Sequence, residues 1–426
     1  MSLISAVFLR GSAFSASAAI AVGIFGYLTR RILANHLPGN DYAFFYSVFA
    51  LINLLVIPIQ AGTADVLLFE VPGILEAGKR RCAGTFYRFI VKFQSVNALC
   101  GMILFLLCFP LLRKYYFDYP VSALDFGIFT LLIWGIALEN TTLFTLNTLK
   151  KFGLMSGLRT VKAGLFFLGA CLCLAGNNLT WIILVCTAAT TVCTGFGDRA
   201  ARHSGMLPGT FAAPGKVKKN IIGSGLIFML LAVGGTVMQD LGTMVLAFFS
   251  PARDVVLFNI ALPISMIVQS LLTVLNVFNP LIAECCARND RARLKKLFTL
   301  LFILTAAAMA AAAPVLYFGG EFLITLLFSE KFVAAKWCTF FLVEAALLSI
   351  PVRALFNLFN TANRKQVSLR TLIPFGIAAL LLFPLLTIRY GASGTGLAVL
   401  LTTAVWLVAY LFHYAGFLTD EQDIHS

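Results

Sequence analysis

The stretch LTRRILANHLPGNDYAFF, residues 28–45, returns later in the chain as LGTMVLAFFSPARDVVLF, residues 241–258. A shift of 213 positions places the two copies on each other with leucine, alanine, proline, aspartate and phenylalanine in register. The identical pairs are Leu28 and Leu241, Leu33 and Leu246, Ala34 and Ala247, Pro38 and Pro251, Asp41 and Asp254, and Phe45 and Phe258. A repeat with a period this long indicates that the chain is built from two similar halves.

The composition places most of the chain inside a lipid bilayer. Sixty per cent of the residues are hydrophobic and only 12% are charged, whereas about a quarter of residues are charged in soluble domains. The mean hydropathy is +0.92. Apolar runs of about 20 residues, the length that crosses a bilayer, predict twelve transmembrane helices. They lie near 9–33, 42–68, 85–110, 122–147, 160–177, 179–197, 219–249, 255–283, 297–318, 334–360, 371–388 and 394–416.

Twelve spans with a repeat after the sixth predict an all-α integral membrane protein. Because each copy holds an even number of spans, both copies enter the bilayer in the same direction, as a parallel six-plus-six repeat. We therefore expect two six-helix lobes around a central cleft. The predicted N-lobe covers 1–205 and the predicted C-lobe covers 206–426.

The net charge of +14 follows the alternation of the predicted loops. Lysine and arginine concentrate in the connections after the even-numbered spans, among them 79–81, 216–219 and 288–296, and in a group that includes Arg159 and Lys162. Positive charge is retained on the cytoplasmic side during insertion. The sequence thus predicts a multi-pass protein of a bacterial inner membrane with both termini cytoplasmic. We interpret the positive charge as a signal of membrane orientation and not of nucleic-acid binding.

Ten cysteines are scattered through apolar stretches. They show no paired spacing and no accompanying histidine cluster, so we interpret them as small core residues and expect no metal and no disulfide. The first apolar stretch is expected to be a retained helix, because it lacks the basic start and cleavage site of a signal peptide. No cofactor is expected beyond a coupling ion, H⁺ or Na⁺.

Polar residues recur at helical spacing in spans two and eight. Ser265, Gln269, Thr273 and Asn276 lie on one face of span eight, and Asn53, Gln60 and Thr63 lie on one face of span two. The repeat shift carries Gln60 to Thr273 and Thr63 to Asn276. Both copies therefore keep the same helix face polar.

Spans four and ten show a second matched pair of polar faces. Asn140 and Asn147 fall on Arg353 and Asn360 under the same shift, with Asn357 on the same face. These faces are interpreted as the lining of a water-filled cleft that binds substrate. The alternative is that they form hydrogen bonds between packed helices, which is common for such residues in membranes.

Charged residues within spans are costly, about 2.5 to 3.5 kcal/mol each at mid-membrane, so each indicates a role. Arg353 lies nine residues from Glu344, half a helical turn out of phase, and cannot pair with it along the helix. Arg353 is therefore predicted to bind an anionic group of the substrate. Arg10, Arg30 and Arg31 near helix ends are further candidates, with extension of the side chain to the interface as the alternative. Asp240, Asp65 and Glu139 are candidates for ion coupling.

Several longer segments resemble a known family. They are TRRILANHLPGNDYAFFYSVFAL at 29–51, VLAFFSPARD at 245–254, FNPLIAECCARNDRARLKKLF at 278–298, EFLITLLFSEKFVAAK at 321–336 and NLFNTANRK at 357–365. They are similar to the Wzx-type O-antigen repeat-unit flippases. Those form the polysaccharide flippase branch of the multidrug/oligosaccharidyl-lipid/polysaccharide (MOP) exporter superfamily, which also includes the MATE transporters. In this chain Tyr42 is followed by Ala43, where many members have an aromatic residue followed by glycine.

The resemblance implies a non-enzymatic translocator of undecaprenyl-diphosphate-linked oligosaccharides. Its partners would be the lipid-linked oligosaccharide, membrane lipid and other polysaccharide assembly proteins, without nucleic acid, and the chain would be monomeric. An ion-coupled drug or small-solute exporter of the same superfamily is the first alternative. A membrane glycan polymerase or ligase is the second, and the absence of a long outer loop in the sequence counts against it.

Overall fold

A computed structural model describes residues 2–76, 80–117, 119, 121–172, 178–204, 225, 229, 240–271, 282, 284–286, 288, 290–362 and 364–419. Within these residues the chain is helical and contains no strand. The helices of the first half are α1 (Ser2–His36), α2 (Gly39–Gln60), α3 (Thr63–Glu76), α4 (Arg80–Leu107), α5 (Phe109–Tyr115), α6 (Ala123–Thr148), α7 (Phe152–Leu172) and α8 (Leu179–His203). Those that follow are α9 (Asp240–Phe249), α10 (Ala252–Leu271), α11 (Arg291–Leu327), the short 3₁₀ helix Glu330–Ala335, α12 (Lys336–Thr361) and α13 (Lys365–Thr419).

Ten helices in the described part of the chain are long and apolar enough to cross a membrane. This count agrees with twelve predicted spans for two reasons. The continuous described helix of span seven is Asp240–Phe249, which is too short to count. Spans eleven and twelve run together in α13, which turns at Gly391 where φ is +56°. The chain is therefore a multi-pass, all-helical membrane protein.

The repeat seen in the sequence is also present in the helix boundaries. The helix α6 runs from residue 123 to 148 and α12 from 336 to 361, so both ends differ by the same 213 positions. The second helix of each copy begins at Gly39 and at Ala252, again 213 positions apart. The two halves thus share their helical layout.

Span two, predicted as one helix near 42–68, is divided in the structure. The helix α2 ends at Gln60 and α3 begins at Thr63, with Ala61 and Gly62 between them at φ of +46° and +64°. A left-handed conformation suits glycine because it has no Cβ. A Cβ on Gly62 would collide with the backbone of Gly225, so glycine is also required for this close approach.

Span five lies earlier than predicted, and this corrects the topology argument. The helix α7 covers Phe152–Leu172 and contains both Arg159 and Lys162, which the sequence assigned to a basic connection near a span predicted at 160–177. The predicted start of the span was wrong because a search for apolar runs excludes a helical segment that carries charged residues. A lysine with a buried partner can lie inside a helix.

The two halves of α13 lie antiparallel to each other. Thr387 and Thr395 are joined by a hydrogen bond of 2.8 Å on either side of the turn. Further away, Trp406 Nε1 donates to Thr371 Oγ1 at 3.3 Å, and the centroid of the Trp406 ring lies 4.6 Å from that of Phe375. The hairpin therefore brings Lys365 and Thr419 to one end and Gly391 to the other.

The chain forms two compact units, Met1–Phe248 and Phe249–Ser426. A core of the first contains Val66, Leu67, Tyr87 and Leu146. The second contains a buried aromatic group that includes Phe298, Phe359 and Tyr410. The predicted lobe boundary at 205/206 stays a prediction, because it falls in the stretch 205–224 outside the described residues.

Candidate functional site

The first charged cluster lies in the first unit around Arg30 of α1. Its guanidinium carbon is 4.8 Å from the ring centroid of Tyr46 in α2, within the range of a cation–π interaction. Tyr46 is itself held by the ring of Tyr42, 4.7 Å away. Both tyrosines are buried. Arg30 is therefore held against a fixed aromatic surface inside a membrane helix.

Asp240 of α9 completes this cluster. Asn53 Nδ2 of α2 donates to Asp240 Oδ1 at 3.2 Å, and Arg30 lies within electrostatic range of the same carboxylate. An arginine and an aspartate thus share one environment in the first unit. Such a site can bind an anionic group at Arg30 and a cation or proton at Asp240.

The second site lies in the second unit at Arg353 of α12. Arg353 is exposed, although it lies inside the span and eight residues before the helix ends at Thr361. Its Nη2 donates to Gln269 Oε1 of α10 at 3.2 Å. Charged side chains within membrane helices usually face the protein interior or a water-filled cavity and not lipid. Arg353 and Gln269, predicted from two different faces, are therefore brought together.

The polar face predicted on span two has a structural role in the first unit. Gln60 Nε2 donates to the carbonyl oxygen of Ala137 at 2.9 Å, and Thr63 Oγ1 donates to the carbonyl of Gln60 at 2.6 Å. Buried Gln94 of α4 donates to Thr63 at 2.9 Å and accepts from Thr141 of α6. These bonds connect α2, α3, α4 and α6 around the break at Gly62. This contact pattern is that of interhelical hydrogen bonding.

Glu139 of α6, which is buried, forms an ion pair with the partly exposed Lys162 of α7. The Lys162 ammonium lies 2.7 Å from Glu139 Oε1 and 2.8 Å from Oε2, so it bridges both oxygens. The Glu139 side chain is 9% exposed and that of Lys162 is 32% exposed. Glu139 was predicted as an ion-coupling residue, and in the structure a lysine occupies the position that a cation would take.

The remaining predicted residues are distributed as follows. Arg31 is exposed, one position from Arg30 but on a different side of α1. The four asparagines are partly buried: Asn140, Asn147, Asn357 and Asn360. Ser265 Oγ donates to the carbonyl oxygen of Leu262 at 2.8 Å. Outside the described residues lie Thr273 and Asn276, together with the side chains of Arg10 and Asp65.

Sequence reasoning missed two residues that define these sites. Tyr46 supports Arg30, and its position four residues after Tyr42 on one helix face was the available signal. Lys162 pairs with Glu139, and no pattern in the sequence links them because their contact joins different helices. The roles of Arg30 and Arg353 in binding substrate, and of Asp240 in ion coupling, stay predictions.

Several solved structures have a similar fold and align with nearly the whole chain. Lipid II flippase MurJ, in an inward closed conformation, is similar with a TM-score of 0.69 at 14% identity, covering 95% of this chain and 87% of that one. The MATE multidrug transporter DinF-BH, in complex with rhodamine 6G, has a TM-score of 0.69 at 15% identity, covering 97% and 96%. An inward-facing MATE family transporter of the MOP superfamily has a TM-score of 0.67 at 12% identity, covering 96% and 100%.

No protein-family model and no curated protein matches the sequence. The similarities to solved structures are all of low identity and therefore establish the fold. The chain is a multi-pass membrane protein with the all-helical fold that MurJ shares with the MATE transporters.

Proposed function

We propose that this chain is a transporter of the MOP exporter superfamily that translocates lipid-linked oligosaccharide repeat units across a bacterial inner membrane. The lipid would be undecaprenyl diphosphate, and movement would run from the cytoplasmic to the periplasmic leaflet by alternating access of two six-helix lobes. Both termini would be cytoplasmic. The fold shared with a protein described as a lipid II flippase supports the class of function.

The observation that carries the substrate proposal is that each unit holds an arginine inside a membrane helix. Arg30 is held over Tyr46 and Arg353 is held by Gln269. A diphosphate crossing a bilayer needs cationic donors, and the planar fork of arginine matches phosphate oxygens. A guanidinium that faced lipid hydrocarbon would cost free energy without a compensating interaction.

The sugar head and the lipid tail have different requirements. Oligosaccharide hydroxyls lose their hydrogen bonds to water in hydrocarbon, so the head needs a polar path such as the faces that carry Asn357, Asn360 and Gln269. The tail is as apolar as the bilayer and can remain in it. The protein therefore has to shield only the charged and polar part of its substrate.

The test of this proposal uses Arg30→Ala and Arg353→Ala in a strain whose surface glycan depends on the protein. A hydrogen bond to a charged group contributes about 1.5 to 3 kcal/mol. We therefore expect glycan export to fall about tenfold or more in each variant at unchanged protein abundance, with partial recovery for lysine at either position. Arg31→Ala is the matched comparison, because it removes the same charge one residue from Arg30, and we expect a smaller loss. Unchanged export in both alanine variants would remove the arginines from the site.

Asp240 is proposed as the ion-coupling residue. The membrane potential contributes about 2.3 kcal/mol per charge per 100 mV, enough to set the direction of transport if net charge crosses with each cycle. We expect Asp240→Asn to make transport by vesicles independent of an imposed proton or sodium gradient. Asn53→Ala should weaken the same dependence, since Asn53 holds the carboxylate. A gradient dependence that survives in Asp240→Asn would assign coupling to another residue.

The second candidate is an ion-coupled drug exporter of the same superfamily. Its specific support is the similarity to DinF-BH in complex with rhodamine 6G, with the same TM-score as MurJ. Energised vesicles that accumulate or expel rhodamine 6G, while glycan export is normal in a strain lacking the protein, would favour this candidate.

A further inference from the structure

Arg159 lies inside a membrane helix without an acidic partner. It is the eighth residue of α7, and its side chain is exposed. About 10 Å of helix separates it from the start of α7. Among the described residues no carboxylate pairs with Arg159. The sequence has no acidic residue between Glu139 and Asp198, and these two pair with Lys162 and Arg202.

The lipid-facing side of α7 is opposite to Arg159. Exposed apolar side chains recur along one stripe of the helix: Leu154, Val161, Leu165, Leu168 and Leu172. Arg159 lies nine residues from Leu168, which places it half a turn out of phase with that stripe. The exposure of Arg159 is therefore not exposure to the lipid that this stripe contacts.

The face that carries Arg159 is the one packed inside the first unit. Two turns later on this face Phe166 stacks on buried Phe45 of α2, with ring centroids 5.9 Å apart. One turn earlier Met155 belongs to the core that contains Leu146. Arg159 is exposed between these two packed positions. Since charged side chains in membrane helices face the protein interior or water, this exposure indicates a water-filled opening in the first unit.

A second unused donor lies beside Arg159. Ser156 is 5% exposed, and its hydroxyl has no hydrogen-bond partner among the described residues. Residues three apart on a helix are neighbours, with about 5 to 6 Å between their Cβ atoms. Thr187 and Thr194 of α8 donate to the carbonyl oxygen four residues earlier, as hydroxyls in helices often do. The Ser156 hydroxyl is buried without such a bond, which costs free energy unless a ligand accepts from it.

Arg159 and Arg30 lie at different depths of the same unit. The helices α1 and α7 are the first and fifth predicted spans and therefore cross in the same direction. They touch where the ring centroids of Phe25 and Phe167 are 5.7 Å apart. Arg159 precedes Phe167 by eight residues and Arg30 follows Phe25 by five, which separates the two arginines by about 20 Å along the helices. Arg159 is on the side of the basic connection 149–151, which is predicted to be cytoplasmic.

We propose that Arg159 and Ser156 form an entry site for the diphosphate of the lipid-linked substrate. This inference rests on the proposed function. The planar fork of the guanidinium would bind diphosphate oxygens, and the Ser156 hydroxyl would donate to a further oxygen. The substrate would then pass to Arg30, which lies nearer to the other side of the membrane. The hydropathy pattern places Arg159 in a connection, so it is not among the predicted site residues.

The first measurement tests the access of water to Arg159 and does not depend on substrate. Arg159→Cys and Leu165→Cys are each reconstituted in vesicles and treated from both sides with a charged, membrane-impermeant thiol reagent. Labelling is counted by mass spectrometry on the peptide that carries the new cysteine, so the native cysteines can remain. Because the thiolate is the reacting form and an apolar environment suppresses it, we expect position 159 to react at least about tenfold faster than position 165. Equal rates would place Arg159 against lipid and overturn the inference.

The second measurement is the dependence of translocation on substrate concentration. Purified protein in sealed vesicles translocates a fluorescent undecaprenyl-diphosphate-linked oligosaccharide at a series of concentrations. We expect Arg159→Gln to raise the half-saturating concentration about tenfold, and Ser156→Ala to raise it less, because each removes a hydrogen bond to a charged group. Arg159→Lys should recover part of the loss, since it keeps the charge and loses the fork. A purely structural role would lower the thermal unfolding midpoint instead, and we expect that midpoint to be unchanged.

The matched control is Arg199→Gln. Arg199 is also exposed without a carboxylate partner among the described residues, but it follows Val192 and Phe196 on the exposed apolar stripe of α8. We expect its half-saturating concentration to equal that of the wild type. An equal rise in this control, or no rise in Arg159→Gln, would overturn the inference and leave the proposed function intact, since the wild type still translocates. A wild type that leaves the substrate in its original leaflet would overturn the proposed function and the assignment of the diphosphate together.

Discussion

The fourth predicted span of each half, α6 in the first and α12 in the second, buries a glutamate, and the two glutamates have different surroundings. Glu139 in α6 is bridged by the ammonium of Lys162. Glu344 in α12 is 5% exposed, and its Oε1 has no hydrogen-bond partner among the described residues. The two helices coincide end for end under the repeat shift, yet the acids do not, since Glu139 falls on Val352. The repeat preserves the helix and not its charges.

This difference separates a structural acid from one that stability alone does not explain. A buried carboxylate without a partner costs free energy, whereas a buried pair is close to neutral once formed and costly to break. Glu139 is accounted for by its lysine. The Oε1 atom of Glu344 is unpaired among the described residues, which predicts a cost in stability and marks Glu344 as a residue for functional study.

The largest expected effect comes from removing the lysine. Lys162→Met leaves the Glu139 carboxylate buried without its cation, and breaking such a pair costs about 3 to 5 kcal/mol. We expect the free energy of unfolding in detergent to fall by about this amount, measured by denaturant titration of the purified protein.

The double variant Lys162→Met/Glu139→Leu is the control for that experiment. Because both partners are replaced by apolar groups, we expect most of the lost stability to return. A single variant as stable as the wild type would show that Glu139 has another partner and would remove the contrast with Glu344.

The smaller effect has the opposite sign. Glu344→Met replaces a buried carboxyl by an apolar side chain of similar length. We expect the free energy of unfolding to rise by about 1 to 2 kcal/mol, since an unsatisfied buried polar group is removed. The same denaturant titration measures it. A loss of stability would mean that Glu344 contributes a favourable contact, and the two acids would then be equivalent.

Most of the helical layout could be predicted from the sequence because a bilayer demands long apolar runs. The boundary between spans eleven and twelve was predicted between 388 and 394, and the chain turns at Gly391. The predicted faces also identified Gln269 and Arg353, which are in contact. Helical periodicity could identify these two residues because the direction in which a side chain points is set by its position along its own helix.

Features that depend on contacts between helices could not be predicted. The break at Ala61 and Gly62 lies beside the bond from Gln60 to Ala137, and Gly225 approaches it so closely that position 62 has no room for a Cβ. Lys162 was assigned to a loop because a lysine without a known partner is not expected in a membrane. Its partner Glu139 lies on another helix, and a sequence pattern within one helix cannot show that pair.

The most direct test of the proposed function is translocation by the purified protein. Sealed vesicles containing the protein and a fluorescent undecaprenyl-diphosphate-linked oligosaccharide would be sampled with an external glycosidase, under an imposed ion gradient. We predict that the externally accessible fraction changes with time for the wild type and for Arg31→Ala, and stays constant for Arg30→Ala/Arg353→Ala. Vesicles that move rhodamine 6G but leave the lipid-linked oligosaccharide in its original leaflet would contradict the proposal.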